Sequence, residues 1–236
     1  MKIFYKISLS VFILGTALKP VMAQETVDPD AEVKPGPPET PRSSRDNRTD
    51  KDLTLLVIPI TLGWVLPTKY GVSATWISDA TWSIEAEYLQ ASYGLGFWGV
   101  DMANLSEQHT SIHALYYPGN SYYWKVGLGR REYKATFGSE YLSRISSNNL
   151  LTPAKVQISN DVLTLGLGNR WQFKSGITFG IEWLDLVFAM GQGRIEENFM
   201  DRVNDKDEQD DLQTLFDYFR HGTTFQILKV TLGYSF

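Results

Sequence analysis

Glu107, His109, Ser111 and His113 stand at every second position of one short stretch. On a strand, all four point the same way. A base, a hydroxyl and a carboxylate on one face are the parts of nucleophilic ester cleavage: the imidazole of His109 would take the proton as the oxygen of Ser111 attacks. The simpler reading is that these are polar residues lining a wet interior, which needs no special geometry. A metal centre is not expected, because His109 and His113 would lie roughly 13 Å apart along a strand, too far to share one ion.

A larger ionisable set lies inside segments of alternating polarity: Glu85, Glu87, Glu107, Lys125, Arg131, Arg170, Glu182 and Lys229. Its carboxylates and cations are equal in number, so the set is charge-matched. Farther along, the run Asn204-Asp205-Lys206-Asp207-Glu208-Gln209-Asp210-Asp211 is oxygen-rich. It lacks the glycine and the closing glutamate of the known calcium loop, so a solvated acidic loop is expected. Leu212, Leu215, Phe216 and Phe219 follow at helical spacing and predict a short amphipathic helix over 211–219, resting on a membrane surface or capping a barrel mouth. The sequence has no cysteine and no phosphate-cradling glycine loop or nucleotide fingerprint, so neither a disulfide nor a cofactor is expected.

The elements that position these residues are strands. Period-two alternation predicts eight of them, over 53–65, 68–77, 81–93, 104–117, 121–134, 157–173, 177–190 and 223–236. Each is near the length that crosses a bilayer on a tilt. The connections Ser78-Asp79-Ala80, Pro118-Gly119-Asn120 and Lys174-Ser175-Gly176 are short and fall on one side; 94–103, 135–156 and 191–222 are longer and fall on the other. Pro59 makes the first strand the weakest, since proline suits an edge or a strand end. Trp76, Trp82, Tyr122, Trp124, Trp171, Phe173, Tyr234 and Phe236 cluster near the short turns, as an interfacial aromatic girdle would. Trp64, Trp98 and Trp183 are candidates for an outer girdle.

Period two also assigns faces. Trp82, Ile84, Ala86 and Tyr88, then Tyr122, Trp124, Val126 and Leu128, then Leu163, Leu165 and Leu167, then Ile177, Phe179, Ile181 and Trp183 go outward. The charge-matched set goes inward with His109, Ser111 and His113. A charge at lipid depth costs a few kcal/mol, so this sorting supports the assignment. If Pro118-Gly119-Asn120 is a three-residue turn, Glu107 faces Arg131, His113 faces Lys125 and Ser111 faces Gly127. The next turn places Glu182 opposite Gly168 and diagonal to Arg170. Gly127, Gly129, Gly166, Gly168 and Gly180 leave room for long side chains, and an eight-stranded barrel has an interior that side chains can fill. A plugged lumen with Glu107–Arg131 and Glu182–Arg170 contacts is therefore expected.

In the last strand Leu228, Val230, Leu232, Tyr234 and Phe236 share one face, and Phe225, Ile227, Lys229, Thr231, Gly233 and Ser235 share the other. The terminal aromatic with apolar residues at every second position resembles the C-terminal sorting signal of bacterial outer-membrane barrels. That resemblance implies recognition of Leu232, Tyr234 and Phe236 by the barrel-assembly machinery. Across 53–236 the pattern is similar to small barrels of the OmpA and OmpX type. It implies an all-β, eight-stranded antiparallel up-and-down transmembrane β-barrel in a Gram-negative outer membrane, surrounded by lipid and lipopolysaccharide. The His-x-Ser pattern resembles the outer-membrane lipid A deacylases, with two departures. That family's pattern continues with Asn where Ile112 stands, and its site faces lipid where parity turns His109 and Ser111 inward.

Lys2 and Lys6 precede an apolar run, Ile7 to Leu18, and Val21-Met22-Ala23 ends in small residues, so 1–23 reads as a cleaved secretory leader. Residues 24–52 are rich in Pro and charge and are expected to form a disordered periplasmic tail. Removing Lys2, Lys6 and Lys19 with the leader takes the formal charge from −5 to −8, which argues against nucleic acid as a partner. The expected function is a non-enzymatic envelope scaffold that meets an external ligand or partner at loops 135–156 and 191–222. The alternatives are a narrow pore or transporter for small solutes and a lipid A-modifying esterase using His109 and Ser111.

Overall fold

The computed structural model describes residues 42–97, 100–137, 154–203 and 206–236. The eight strands are β1 (Leu53–Gly63), β2 (Thr68–Ile77), β3 (Trp82–Phe97), β4 (Val100–Tyr116), β5 (Tyr122–Phe137), β6 (Ala154–Gln172), β7 (Ile177–Glu197) and β8 (Thr224–Ser235). Each pairs antiparallel with the next, and β8 pairs with β1 to close the barrel. The short-turn ends of the strands fall where the alternation places them. The opposite ends of β3 to β7 run farther than expected. There the outward residues become charged, as at Glu132, Lys134, Lys155, Arg194 and Glu196, so alternation fades while the backbone ladder continues. Closure leaves no sheet edge unpaired, which is what a strand-built membrane span requires.

The lower part of each strand keeps strict period two. Leu55, Val57, Val72, Ile84, Ile112, Val126, Leu128, Leu165 and Leu232 are exposed on the outside, while the interior is polar. Aromatic residues ring the short-turn end, with Trp82 against Tyr116 at 4.9 Å, Trp171 against Phe179 at 5.6 Å and Tyr234 against Phe236 at 5.1 Å. Trp64 lies near the other end and donates to the Tyr218 hydroxyl. Trp183 does not belong to an outer girdle: it donates to Asn169, three residues from the short-turn end of β6. Trp98 and 138–153 lie outside the described residues, as does the chain up to residue 41.

Three adjacent strands break the period. Around Pro59 the β1–β2 register slips between Ile58 and Thr61, so the proline sits at a bulge in a full barrel strand. On β7, Trp183 is the extra residue between the pairs Gly168–Glu182 and Leu167–Leu184. On β8, Leu228 has φ 54°, in the left-handed region, where the β1–β8 register also slips. A bulge inserts one residue and flips every side chain beyond it. Phe225 and Ile227, expected on the inward face, are therefore exposed, and Thr224 and Gln226 take their places inside.

The expectation of a disordered tail over 24–52 is wrong for its last part. Helix α1 (Ser44–Thr49) follows a capping box in which Ser43 and Asp46 bond each other's backbone N–H. It lies over the short-turn end of the barrel. Asn47 Nδ2 donates to the carbonyl of Gln172, Arg45 N donates to Asn120, and Arg48 donates to the carbonyls of Ala80 and Gly119. Polar composition predicted disorder because the segment brings little apolar area of its own. It is ordered because the turns offer it hydrogen-bond acceptors. At the other end, helix α2 (Lys206–His221) extends beyond the expected 211–219 and covers the mouth, packing Phe216 into a cluster with Tyr133, Val156, Ile158, Phe199 and Val203.

Candidate functional site: a charge-matched lumen

Five carboxylates and five cations of the strands are buried among the described residues: Glu85, Glu87, Glu107, Glu182 and Asp185 against Lys69, Lys125, Arg131, Arg170 and Lys229. Lys69, Lys125, Arg170 and Lys229 each bond a carboxylate on a strand that is not their neighbour. Arg170 of β6 pairs with Glu85 of β3 at 2.5 Å, supported by Thr75, which donates to the same carboxylate and accepts from Arg170. Lys69 of β2 pairs with Glu107 of β4 at 2.5 Å. In the middle, Lys229 of β8 joins Glu87 of β3 at 2.7 Å and Glu182 of β7 at 3.0 Å. Lys125 of β5 joins Glu182 and Asp185, both at 2.7 Å, and Tyr123 donates to Glu182 at 3.1 Å.

The eight charges expected inward are buried, but their partners are not the expected ones. Glu107 and Arg131 do not pair, because β4 and β5 meet two residues out of the expected register: Glu107 faces Tyr133, His109 faces Arg131, Ser111 faces Gly129 and His113 faces Gly127. The turn is longer than Pro118-Gly119-Asn120, since Tyr117 leaves the β4–β5 ladder and donates its N–H to the carbonyl of Thr81. Arg131 instead bonds Thr224 at 2.5 Å, Asn160 at 3.3 Å and the carbonyl of Gly222 at 3.4 Å. Glu182 does face Gly168, but it bonds two lysines and not Arg170, which reaches across to β3. Two charges were overlooked. Lys69 was legible, lying on the same β2 face as Ser73 and Thr75. Asp185 was not, because the bulge at Trp183 turns it inward three residues after Glu182 instead of two. That spacing lets both carboxylates meet Lys125.

Room for these side chains comes from glycine. A Cβ on Gly127 would collide with the His113 ring, and one on Gly166 would stand 2.9 Å from Lys125 Cε. Below the ionic layer, Thr54, Ser235, Thr178 and Gln172 form a hydroxyl and amide cluster with bonds of 2.7 to 3.1 Å across the β1–β8 seam. Arg48 of α1 stacks 3.9 Å over the Tyr117 ring beneath it. Burial lowers its guanidinium from the usual range, the Tyr117 hydroxyl acting in the opposite sense.

His109, Ser111 and His113 are buried on the lumen side, so an acyl chain in the surrounding lipid has no direct line to them. Neither imidazole nor the Ser111 hydroxyl makes a hydrogen bond among the described residues, so the base–nucleophile contact of an esterase is not formed. No group of His, Cys, Asp and Glu suited to hold a metal occurs among the described residues. The residues of 204–205, at the start of the acidic run, lie outside them.

No family model matches the chain. No curated protein matches it at a significant level. Solved structures similar in fold include three outer-membrane proteins. CarO of Acinetobacter baumannii shares 10% identity, covering 80% of this chain and 99% of its own, with a TM-score of 0.44. The N-terminal β-barrel domain of Pseudomonas aeruginosa OprF shares 12%, covering 79% and 98%, with a TM-score of 0.39. A major outer membrane protein of Thermus thermophilus shares 14%, covering 79% and 98%, with a TM-score of 0.43. With a closed wall, an apolar outer belt, an aromatic girdle and its strand charges buried within, the chain is an eight-stranded antiparallel β-barrel of the membrane-spanning kind.

Proposed function

We propose that the protein is a non-enzymatic envelope scaffold: a barrel with a plugged lumen that holds its N-terminal segment at the periplasmic face and presents α2 and the long loops outside. The observation that carries this reading is the ionic layer. Lys229 and Arg170 reach across the lumen to carboxylates of β3, and Lys69 and Lys125 reach past one strand to carboxylates of β4 and β7. Side chains tied in this way occupy the path a solute would take, and moving one leaves a partner charge buried and unpaired. The helices α1 and α2 lie over the two ends. Lipid and lipopolysaccharide meet the apolar belt, and the barrel-assembly machinery acts on the terminal strand.

Planar-bilayer recording of the purified protein tests it. The expected trace is free of stable conductance steps. Reproducible single-channel steps would reject the plug in favour of a narrow pore. Mass spectrometry of lipid A from cells with and without the protein addresses esterase chemistry. The expected spectra are identical, and loss of an acyl chain that depends on Ser111 would overturn the non-enzymatic reading.

A further inference from the structure

A pocket of about 220 Å³ opens between α2 and the outward ends of β4, β5 and β6. One wall is the inward face of the sheet, with Leu105, Tyr133, Ala135 and Ile158; the other is α2, with Leu215 and Phe219. No charged side chain lines it. Tyr133 and Phe219 set their rings 5.2 Å apart, edge to face. The Tyr133 hydroxyl is buried beside Thr224 without a well-formed hydrogen bond.

Position decides what can enter. The residues alternating with this wall, Glu132, Lys134 and Lys155, point outward and are charged. This part of the sheet therefore stands above the hydrocarbon layer, where a charge at lipid depth would be costly. The pocket faces the inside of that raised wall. A membrane acyl chain reaches neither its level nor its face, whereas a small solute from outside does. An apolar cavity of about 150 Å³ is enough to take a benzene ring, so this one is large enough for a one- or two-ring molecule.

We infer that the pocket between α2 and the raised ends of β4–β6 binds a small, uncharged, ring-containing apolar molecule from the external medium. The absence of lining charge sets the class: an anion or cation would lose its hydration with nothing in return. The site lies above the ionic layer, so it does not depend on whether the lumen conducts.

The test uses the mature full chain in lipid nanodiscs with 1-naphthol as probe, read by fluorescence titration against empty discs, and naphthalene-1-sulfonate as the charged counterpart. Saturable binding of 1-naphthol at one site per protein is expected, with the sulfonate at least tenfold weaker. Ala135→Trp, which fills the pocket from the strand side, and Leu215→Glu, which puts a charge on its half-exposed helix side, should each weaken 1-naphthol at least tenfold. Heat-modifiable gel migration identifies folded protein, and either variant suffices if the other fails to fold. No saturable signal above empty discs, equal binding of the sulfonate, or unchanged affinity in a folded variant would each overturn the assignment.

Discussion

Lys69, Lys125 and Arg131 are all cations buried on the inner wall, yet they differ in what they leave behind when removed. Lys125→Met strands Glu182 and Asp185 on Lys229 alone, which is 3.0 Å from the first and 3.7 Å from the second. Breaking a buried pair in this way costs about 3–5 kcal/mol. Lys69→Met likewise strips Glu107 of its lysine. Arg131→Met removes hydrogen bonds to Asn160, Thr224 and a carbonyl, and such bonds are worth about 1–3 kcal/mol. Urea unfolding of the protein refolded in lipid vesicles should rank Lys125→Met and Lys69→Met well below Arg131→Met in stability. An Arg131 variant as damaged as the lysine variants would mean that Glu107 depends on Arg131, as the three-residue turn implied. Inward placement was legible because lipid excludes charge; partner choice was not, because a shift of two residues keeps every side chain on its face and changes only whom it meets.

Bulges and caps are the elements that alternation could not reveal. Trp183 and Leu228 are ordinary outward apolar residues by type, and neither is a glycine that would mark a kink, so fixed parity carried past them and misplaced Phe225, Ile227 and Asp185. Leu228 holds φ at 54°, a conformation that costs a non-glycine residue about 1–2 kcal/mol and a β-branched one more. Leu228→Val should therefore lower stability by about 1–2 kcal/mol at nearly constant lipid contact, and Leu228→Gly should not. Equal urea midpoints for the two variants would argue against the left-handed bulge. The docked helix makes a different prediction. Hydrogen bonds from Ser43, the side chain first and the backbone second, hold the Asp46 carboxyl below its ordinary 3.8. A depressed carboxyl contributes fully above that ordinary value and loses its contribution as pH falls through the lowered one. Protection against exchange of the Asn47 N–H, which bonds the Ser43 carbonyl, should then be full at neutral pH and fall only below 3.8, and Asp46→Ala should lower it wherever the wild-type carboxyl is ionised. Exchange that is already fast at pH 7 in the wild type would remove α1 from the barrel mouth.

At the scale of the whole barrel, the strand that closes the wall is also the one proposed to mark the chain for delivery. β8 closes the wall on β1 through pairs from Thr54–Ser235 to Gly63–Gln226. Phe236 adds little to that wall: its N–H bonds the carbonyl of Leu53, its own carbonyl accepts from Asp52, and its ring is 59% exposed against Tyr234. The hydroxyl cluster of Thr54, Ser235, Thr178 and Gln172 seals the seam without it. Deleting Phe236 should then have two distinct outcomes. Folding from urea into lipid vesicles, followed by heat-modifiable migration, should be close to wild type, because the lost contacts lie at the rim. In cells without overexpression, the outer-membrane level should fall several-fold while passage through the inner membrane continues, if Leu232, Tyr234 and Phe236 are, as proposed, the mark that the assembly machinery reads. Unassembled chain leaves alternating strands unpaired in the periplasm, where aggregation or degradation follows. An unchanged outer-membrane level would place the recognition elsewhere, and a matching loss in the purified system would make Phe236 a structural residue of the seam.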